Sequence, residues 1–265
     1  MDIENICHSV NELARQTGKF IREQRATFTI DRVESKGLHN FVSYVDKEAE
    51  VRLVNGLKGI LPQSGFIAEE GTGSKNSSGL NWIIDPLDGT TNYIHGLPPY
   101  AISIGLMDDD RVILGVVYEI CLDECFYSWG NGKAFLNGHQ IFVTPTAKVE
   151  NSLIATGFPY YDYDRVGPFL RSMEHFMRYS HGMRRLGSAA TDLAYVACGR
   201  FEAFYEYGLN AWDVAAGAFL IEQAGGKVSD FKGGNGYIFG REIVASNAAV
   251  FDEFLEVIAK FMVSK

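Results

Sequence analysis

No stretch of the sequence approaches the roughly 18 apolar residues that a membrane-spanning helix needs, so helical membrane spans are not expected. Basic charge is in deficit too: 24 Lys and Arg face 33 Asp and Glu, for a net charge of -9. That balance argues against a general nucleic-acid binder and against a protein held on an anionic membrane. Cysteine is scarce, and Cys7, Cys121, Cys125 and Cys198 are scattered. Cys121 and Cys125 have no second pair or His cluster to complete a zinc site. The opening stretch MDIENICHSV is acidic and has no long apolar core. No secretory leader is expected from it, and the chain reads as cytoplasmic with reduced thiols. Without a leader, the triplet Asn76-Ser77-Ser78 reads as a polar loop and not as a glycosylation acceptor. There is no G-x-S-x-G elbow and no Walker-type phosphate loop, and the six His residues show no paired metal spacing. Internal repeats, low-complexity tracts and an interdomain linker are also missing.

What is present is core material. Hydrophobic residues make up 46% of the 265 and aromatics 13%, enough to exclude disorder as the default state. The expectation is one domain over residues 1–265 in two closely packed halves, about 1–148 and 149–265. Ile3, Ile6, Val10, Leu13, Ala14, Phe20 and Ile21 recur at helical spacing, and a second helix is predicted from near Asp46 to Pro62. Short apolar runs at 66–68, 82–84, 101–107, 112–118 and 125–129 read as strands. Farther on, 152–156, 201–206 and 243–246 read as extended, while 188–198, 212–224 and 250–262 read as helical. Such a mix predicts layered sheets and helices of the α+β or α/β kind. The segment Gly71 to Asn81 is small, polar and glycine-rich, and reads as a mobile loop.

The densest chemistry lies in Trp82 to Tyr93, WIIDPLDGTTNY. An apolar strand runs into Asp85 and Asp88, and Pro86 biases Asp85 towards an extended conformation, so both acids are expected at a strand end. Gly89 permits a sharp turn. Thr90 and Thr91 then open a helix whose free N–H groups suit an anion such as phosphate. Glu69 and Glu70 close another predicted strand, and Asp213 follows Ala211-Trp212 at the start of a predicted helix. Each has an ordinary reading by itself: surface charge, helix cap or turn former. Together they offer the all-oxygen donors that Mg²⁺ prefers, without the ligand spacing of an EF-hand. Asp108-Asp109-Asp110 reads as a solvated hairpin turn, and Gly233 to Gly236 as a turn. Tyr160 to Asp164 is open between a wall of the substrate mouth, an exposed aromatic loop and a subunit contact.

These segments resemble the inositol monophosphatase family. The family places a tryptophan-led strand before D-P-[aliphatic]-D-G-T-x-N-[aromatic], which Trp82 to Tyr93 reproduces. Its upstream Glu matches Glu69, and its later W-D motif matches Trp212-Asp213 through Gly225-Gly226. The resemblance implies a layered α-β-α-β-α sandwich of the inositol monophosphatase and fructose-1,6-bisphosphatase type, and Mg²⁺-dependent hydrolysis of a small phosphate monoester. It implies Glu69, Asp85 and the Leu87 carbonyl as ligands of one Mg²⁺, and Asp85, Asp88 and Asp213 as ligands of a second. An occasional third ion would lie near Asp46, and Lys36 matches an early family lysine. Where the family usually reads D-L-V-T before that aspartate, this sequence has Asn40-Phe41-Val42-Ser43. By the same resemblance Glu69, Thr90 and Asp46 act on the attacking water, and Gly89 and Thr90 grip phosphate through backbone amides. Asp88, Ala189, Glu206 and Asp213 would face the alcohol portion, with Gly187 to Ala190 as a substrate-side turn. A homodimer and lithium sensitivity are further implications. Inositol monophosphate is the first expected substrate; fructose 1,6-bisphosphate, histidinol phosphate and 3'-phosphoadenosine 5'-phosphate are the alternatives, and a non-catalytic binder is the rival class.

Overall fold

Strand alternation explains the layers. A computed structural model of the chain describes residues 1–29, 33–37, 40–77, 79–130, 132–159 and 162–263, with backbone alone for 33–37 and 40–42. Seven strands form one sheet in sequence order: β3 (Gly65–Ala68), β4 (Leu80–Asp88), β5 (Ala101–Asp108), β6 (Arg111–Glu119), β7 (Glu124–Ser128), β8 (Ala134–Leu136) and β9 (His139–Ile141). A short antiparallel ribbon, β1 (Val33–Gly37) with β2 (Asn40–Ser43), precedes them. On one face of the large sheet, Trp82, Ile84, Ile102, Ile104, Leu114 and Val116 pack with α1 (Ile3–Arg25) and α2 (Tyr44–Ile60). Their intervening neighbours point to the other face, as the two-residue period requires. Val117 joins the core of α5 (Ala189–Ala197) and α6 (Ala211–Gln223), while Ile83 meets Ala211 and Ala215 of α6.

The second sheet has five strands: β10 (Leu153–Thr156), β11 (Gly182–Arg184), β12 (Ala203–Tyr207), β13 (Gly226–Ser229) and β14 (Glu242–Asn247), in the order β11-β10-β12-β14-β13. Phe204, Ile243 and Ala245 face α5 and α6. Ala203, Tyr205, Tyr207 and Val244 face outward, where α4 (Val166–Tyr179) and α7 (Phe251–Met262) cover them with Phe169, Phe176, Phe254 and Ile258. The result is helix pair, sheet, helix pair, sheet, helix pair: the α-β-α-β-α sandwich that the resemblance implied. One further short helix, α3 (Thr90–His95), follows β4.

Two expectations change. Leu80 and Asn81 belong to β4, and the loop before them is tied down. Asn76 N–H donates to Asn81 Oδ1 at 2.8 Å, Asn76 Nδ2 donates to the Gln63 carbonyl at 2.9 Å, and Gly79 N–H donates to Asp109 Oδ1 at 2.7 Å. The Asn76 amide is thus a structural crosslink. The strand expected at 125–129 runs one residue earlier, leaving Trp129 outside it to stack on Phe135. No helix among the described residues is long and apolar enough to cross a membrane.

Candidate active site

A register shift in β4 brings its two aspartates to one side. Asp85 pairs with Ser103 and Asp88 with Ala101, so three steps on β4 oppose two on β5. In a regular strand, residues three apart point to opposite faces. The extra residue of the bulge reverses that parity. Pro86 sits inside the bulge, where its missing N–H costs no ladder hydrogen bond. Asp85 continues the face of Ile83, the face covered by α6. Leu87 N–H donates to Asp85 Oδ1 at 2.9 Å. Gly89 then turns the chain at φ 92°, and a side chain there would crowd the Pro99 and Gly187 carbonyls.

Helix α6 supplies the third acid. Asp213 occupies the third helical position, and its Oδ2 accepts from the Asn210 N–H at 2.6 Å in a capping box. Capping therefore uses one oxygen of a residue whose carboxylate also meets the strand acids. One oxygen each from Asp85, Asp88 and Asp213 lie within 4.8 Å of one another. Desolvation raises the Asp85 carboxyl well above the usual range, and the charges of Glu69, Asp88 and Asp213 add to the effect. Desolvation also pushes Asp88 up to about 6, although hydrogen bonds from Ser188 and Ala190 oppose it. Asp213 is pushed up to about 7 by desolvation and then by the charge of Asp88. Three acids this close need shared protons or a cation. Their donor set is all oxygen, which fits a hard divalent ion such as Mg²⁺.

The other expected site residues surround this cluster. Glu69 is half-buried, follows β3 and lines the cavity with Asp88 and Asp213, but it stands outside the three-acid group. Its N–H donates to the Ile84 carbonyl at 3.2 Å, extending the parallel β3–β4 pairing. Buried Glu50 of α2 fixes the loop beyond, accepting from Glu70 N–H and Thr72 N–H, each at 2.7 Å. Asp46 is buried at the third position of α2 and does not line the cavity. Its Oδ2 accepts from Ser43 N–H at 2.9 Å and Ser43 Oγ at 2.6 Å, while its Oδ1 accepts from Thr90 Oγ1 at 2.9 Å. Asp46 thus reaches the site through Thr90, whose hydroxyl also lies 3.0 Å from the Leu87 carbonyl. Ser43 supplies the capping hydroxyl that the altered Asn40-Ser43 segment retains. The Lys36 side chain and residues Tyr160 and Tyr161 lie outside the described residues.

The opposite wall comes from α5 and β12. Ser188 caps α5 and donates through Oγ to Asp88 Oδ2 at 2.6 Å; Ala190 N–H donates to the same oxygen at 2.7 Å. Ala189 and Glu206 line the cavity. Glu206 shares the inward face of β12 with Phe204, and a Cβ at Gly157 would collide with its carboxyl group. Desolvation and the charges of Asp213 and Asp88 raise Glu206 well above the usual range. Sequence reasoning missed Asp192 and Arg185, which also line this cavity of about 150 Å³. Arg185 lies over the Phe158 ring at 5.3 Å. Asp192 is 1% exposed, and its Oδ1 has no hydrogen-bond partner among the described residues. The available signal was its spacing three residues after Ala189, which puts both on one helix face.

The sequence profile of the inositol monophosphatase family matches residues 2–262. An inositol-1-monophosphatase of Mesorhizobium japonicum is 40% identical over 229 residues, covering 86% of each chain. A Nus factor SuhB of Pseudomonas aeruginosa is 38% identical over 250 residues, covering 92% of each. The crystal structure of extragenic suppressor protein SuhB from Bartonella henselae matches with a TM-score of 0.90 at 33% identity, covering 98% of this chain and 99% of that one.

Proposed function

The chain belongs to the inositol monophosphatase family, and from that premise we propose that it hydrolyses the phosphate monoester of a small polyol, inositol monophosphate first, with Mg²⁺ as cofactor. The observation that carries this reading is the three-acid group of Asp85, Asp88 and Asp213, whose oxygens lie within 4.8 Å. Glu69, Asp85 and the Leu87 carbonyl would hold one Mg²⁺, and Asp85, Asp88 and Asp213 a second; a third near Asp46 belongs to the same reading. When bound, Mg²⁺ supplies the positive charge that a phosphate dianion needs and acidifies a water.

The chain's own groups do the positioning. Glu69 and the Thr90 hydroxyl orient the attacking water, and Asp46 holds Thr90 through the 2.9 Å bond. Backbone amides at Gly89 and Thr90 bind phosphate oxygens. Ser188 and Ala190 fix Asp88, so that its carboxylate is oriented before substrate arrives. Ala189, Glu206, Asp88 and Asp213 face the hydroxyls of the departing alcohol. The cavity is lined by five carboxylates, Glu69, Asp88, Asp192, Glu206 and Asp213, against one guanidinium, Arg185. That balance disfavours a second phosphate, and with it fructose 1,6-bisphosphate and 3'-phosphoadenosine 5'-phosphate. Histidinol phosphate, whose alcohol portion is cationic, is the competing substrate that the acidity favours.

Homodimerisation, lithium inhibition and a cytoplasmic location belong to the same reading and rest on the family resemblance. A second reading, a regulatory binding role, is supported by the relatives named as Nus factors. Phosphate release from the four candidate esters, with and without Mg²⁺, separates these readings. The proposal expects Mg²⁺-dependent release with inositol monophosphate preferred. Preference for another ester would replace the substrate, and no release from any of them would favour the binder.

A further inference from the structure

Helix α5 buries almost only apolar or small residues: Ala189, Ala190, Leu193, Ala194, Val196 and Ala197. Its buried hydroxyl, Thr191, is satisfied by Ser188 Oγ at 2.8 Å. Asp192 breaks the pattern. It is 1% exposed, its Oδ1 has no hydrogen-bond partner among the described residues, and it lines the cavity. A buried carboxyl oxygen without a donor is costly, and folded proteins seldom leave one unless a ligand or water completes it. Packing gives no reason for an acid here, since a helix of alanines and leucines would be cheaper.

The facing wall explains what is missing. Burial raises the Asp192 carboxyl well above the usual range, and the charges of Glu206 and Asp88 add to the effect while Arg185 opposes it. Asp192 of α5 and Glu206 of β12 bring two carboxylate side chains to the wall of one cavity of about 150 Å³. Neither can satisfy the other when both are ionised. Hydroxyl groups of a polyol are uncharged donors, which neither acid repels.

We propose that Asp192 is a specificity residue, which accepts a hydrogen bond from a hydroxyl of the substrate's alcohol portion and forms with Glu206 a two-carboxylate subsite for polyols. This rests on the phosphatase reading above. Glu206 alone would recognise one edge of the alcohol; the added acceptor recognises a second and fixes its orientation relative to the phosphate. A site built to bond a hydroxyl rejects an analogue that lacks it, because its own buried acceptor is then left unpaired.

The test uses the Mg²⁺-loaded full chain and the variants Asp192→Ala and Asp192→Asn. Steady-state rates are measured on inositol 1-phosphate, on histidinol phosphate and on p-nitrophenyl phosphate, whose alcohol portion has neither aliphatic hydroxyl nor ammonium. Inhibition by free inositol and thermal melting are followed in parallel. For Asp192→Ala, kcat/KM on inositol 1-phosphate should fall about tenfold further than on p-nitrophenyl phosphate, mainly through KM. Inhibition by inositol should weaken to a similar degree. Asp192→Asn should recover part of the loss, since its amide oxygen still accepts, and neither variant should melt below the parent. Equal losses on the two esters, or no loss on either, would overturn the proposal, as would a loss confined to histidinol phosphate, which would make the subsite one for cations. A parent protein that releases phosphate from no ester overturns the enzymatic reading itself, and this subsite with it.

Discussion

Asp88 gathers contributions from two elements: the bulged end of β4 carries it, and Ser188 and Ala190 at the start of α5 bond one of its oxygens at 2.6 and 2.7 Å. Its other oxygen is left for the cluster with Asp85 and with Asp213 of α6. Asp88→Asn keeps the shape and can still accept from α5, but it removes the charge at the centre of the proposed cation site. Phosphate release should fall roughly 10³-fold or more, with circular dichroism and melting like those of the parent. Near-normal Mg²⁺-dependent kinetics in this variant would refute the assignment. At this scale Asp85, Asp88 and Asp213 were legible because each sits in a dense local motif, WIIDPLDGTTNY or Trp212-Asp213. Asp192 was not, since an aspartate in a helix looks like ordinary surface charge until the fold shows it buried without a donor. Glu50 was hidden likewise: its use is to hold Glu70 and Thr72, twenty and twenty-two residues away.

Elements owe their positions to alternation and to a few sites where a side chain cannot fit. Glu206 reaches the cavity because β12 places it on the same face as Phe204, and because Gly157, just past β10, leaves room for its carboxyl group. Gly157→Ala should push Glu206 aside, raising KM for polyol phosphates several-fold and costing about 1–3 kcal/mol of stability. Unchanged kinetics on inositol monophosphate would show that Glu206 does not bind the alcohol. Helices α1, α2 and α7 were readable from one apolar face, and α5, α6 and strands β3 to β7 from apolar runs bounded by turn residues. Helix α4 was not read, despite its amphipathic pattern: Arg165 at its start makes no side-chain cap, and Gly167-Pro168 suggests a turn. Strands β9, β11 and β13 have three or four residues each and no apolar run of their own, and the apolar β8, Ala134-Phe135-Leu136, is only three residues long. Their neighbours make them strands, and that pairing cannot be seen locally.

For the whole molecule, the net charge of -9 is a poor guide to the sign of the ligand. The acids of the proposed site are concentrated where two sheets and their shared helices meet, and on that reading a cation would turn the junction into a place for phosphate. The same acids set how stability depends on pH. Asp213 is raised from 3.8 to about 7 and Asp88 to about 6 in the folded, metal-free protein. Their protonated forms are therefore favoured by folding. That contribution is complete below the unfolded value near 3.8 and is lost as pH rises through 6 and 7. On the proposed reading Mg²⁺ would act in the reverse direction, since it would bind the ionised carboxylates and its affinity would rise over the same window.

The most direct measurement of the central claim is thermal melting of chelator-treated protein between pH 5 and 8, with and without Mg²⁺. The cluster of Asp85, Asp88 and Asp213 predicts almost no Mg²⁺ effect at pH 5, growing through pH 6 and 7 to about 5–10 °C at saturating ion. A Mg²⁺ shift that is absent at every pH, or equally large at pH 5 and pH 8, would contradict it.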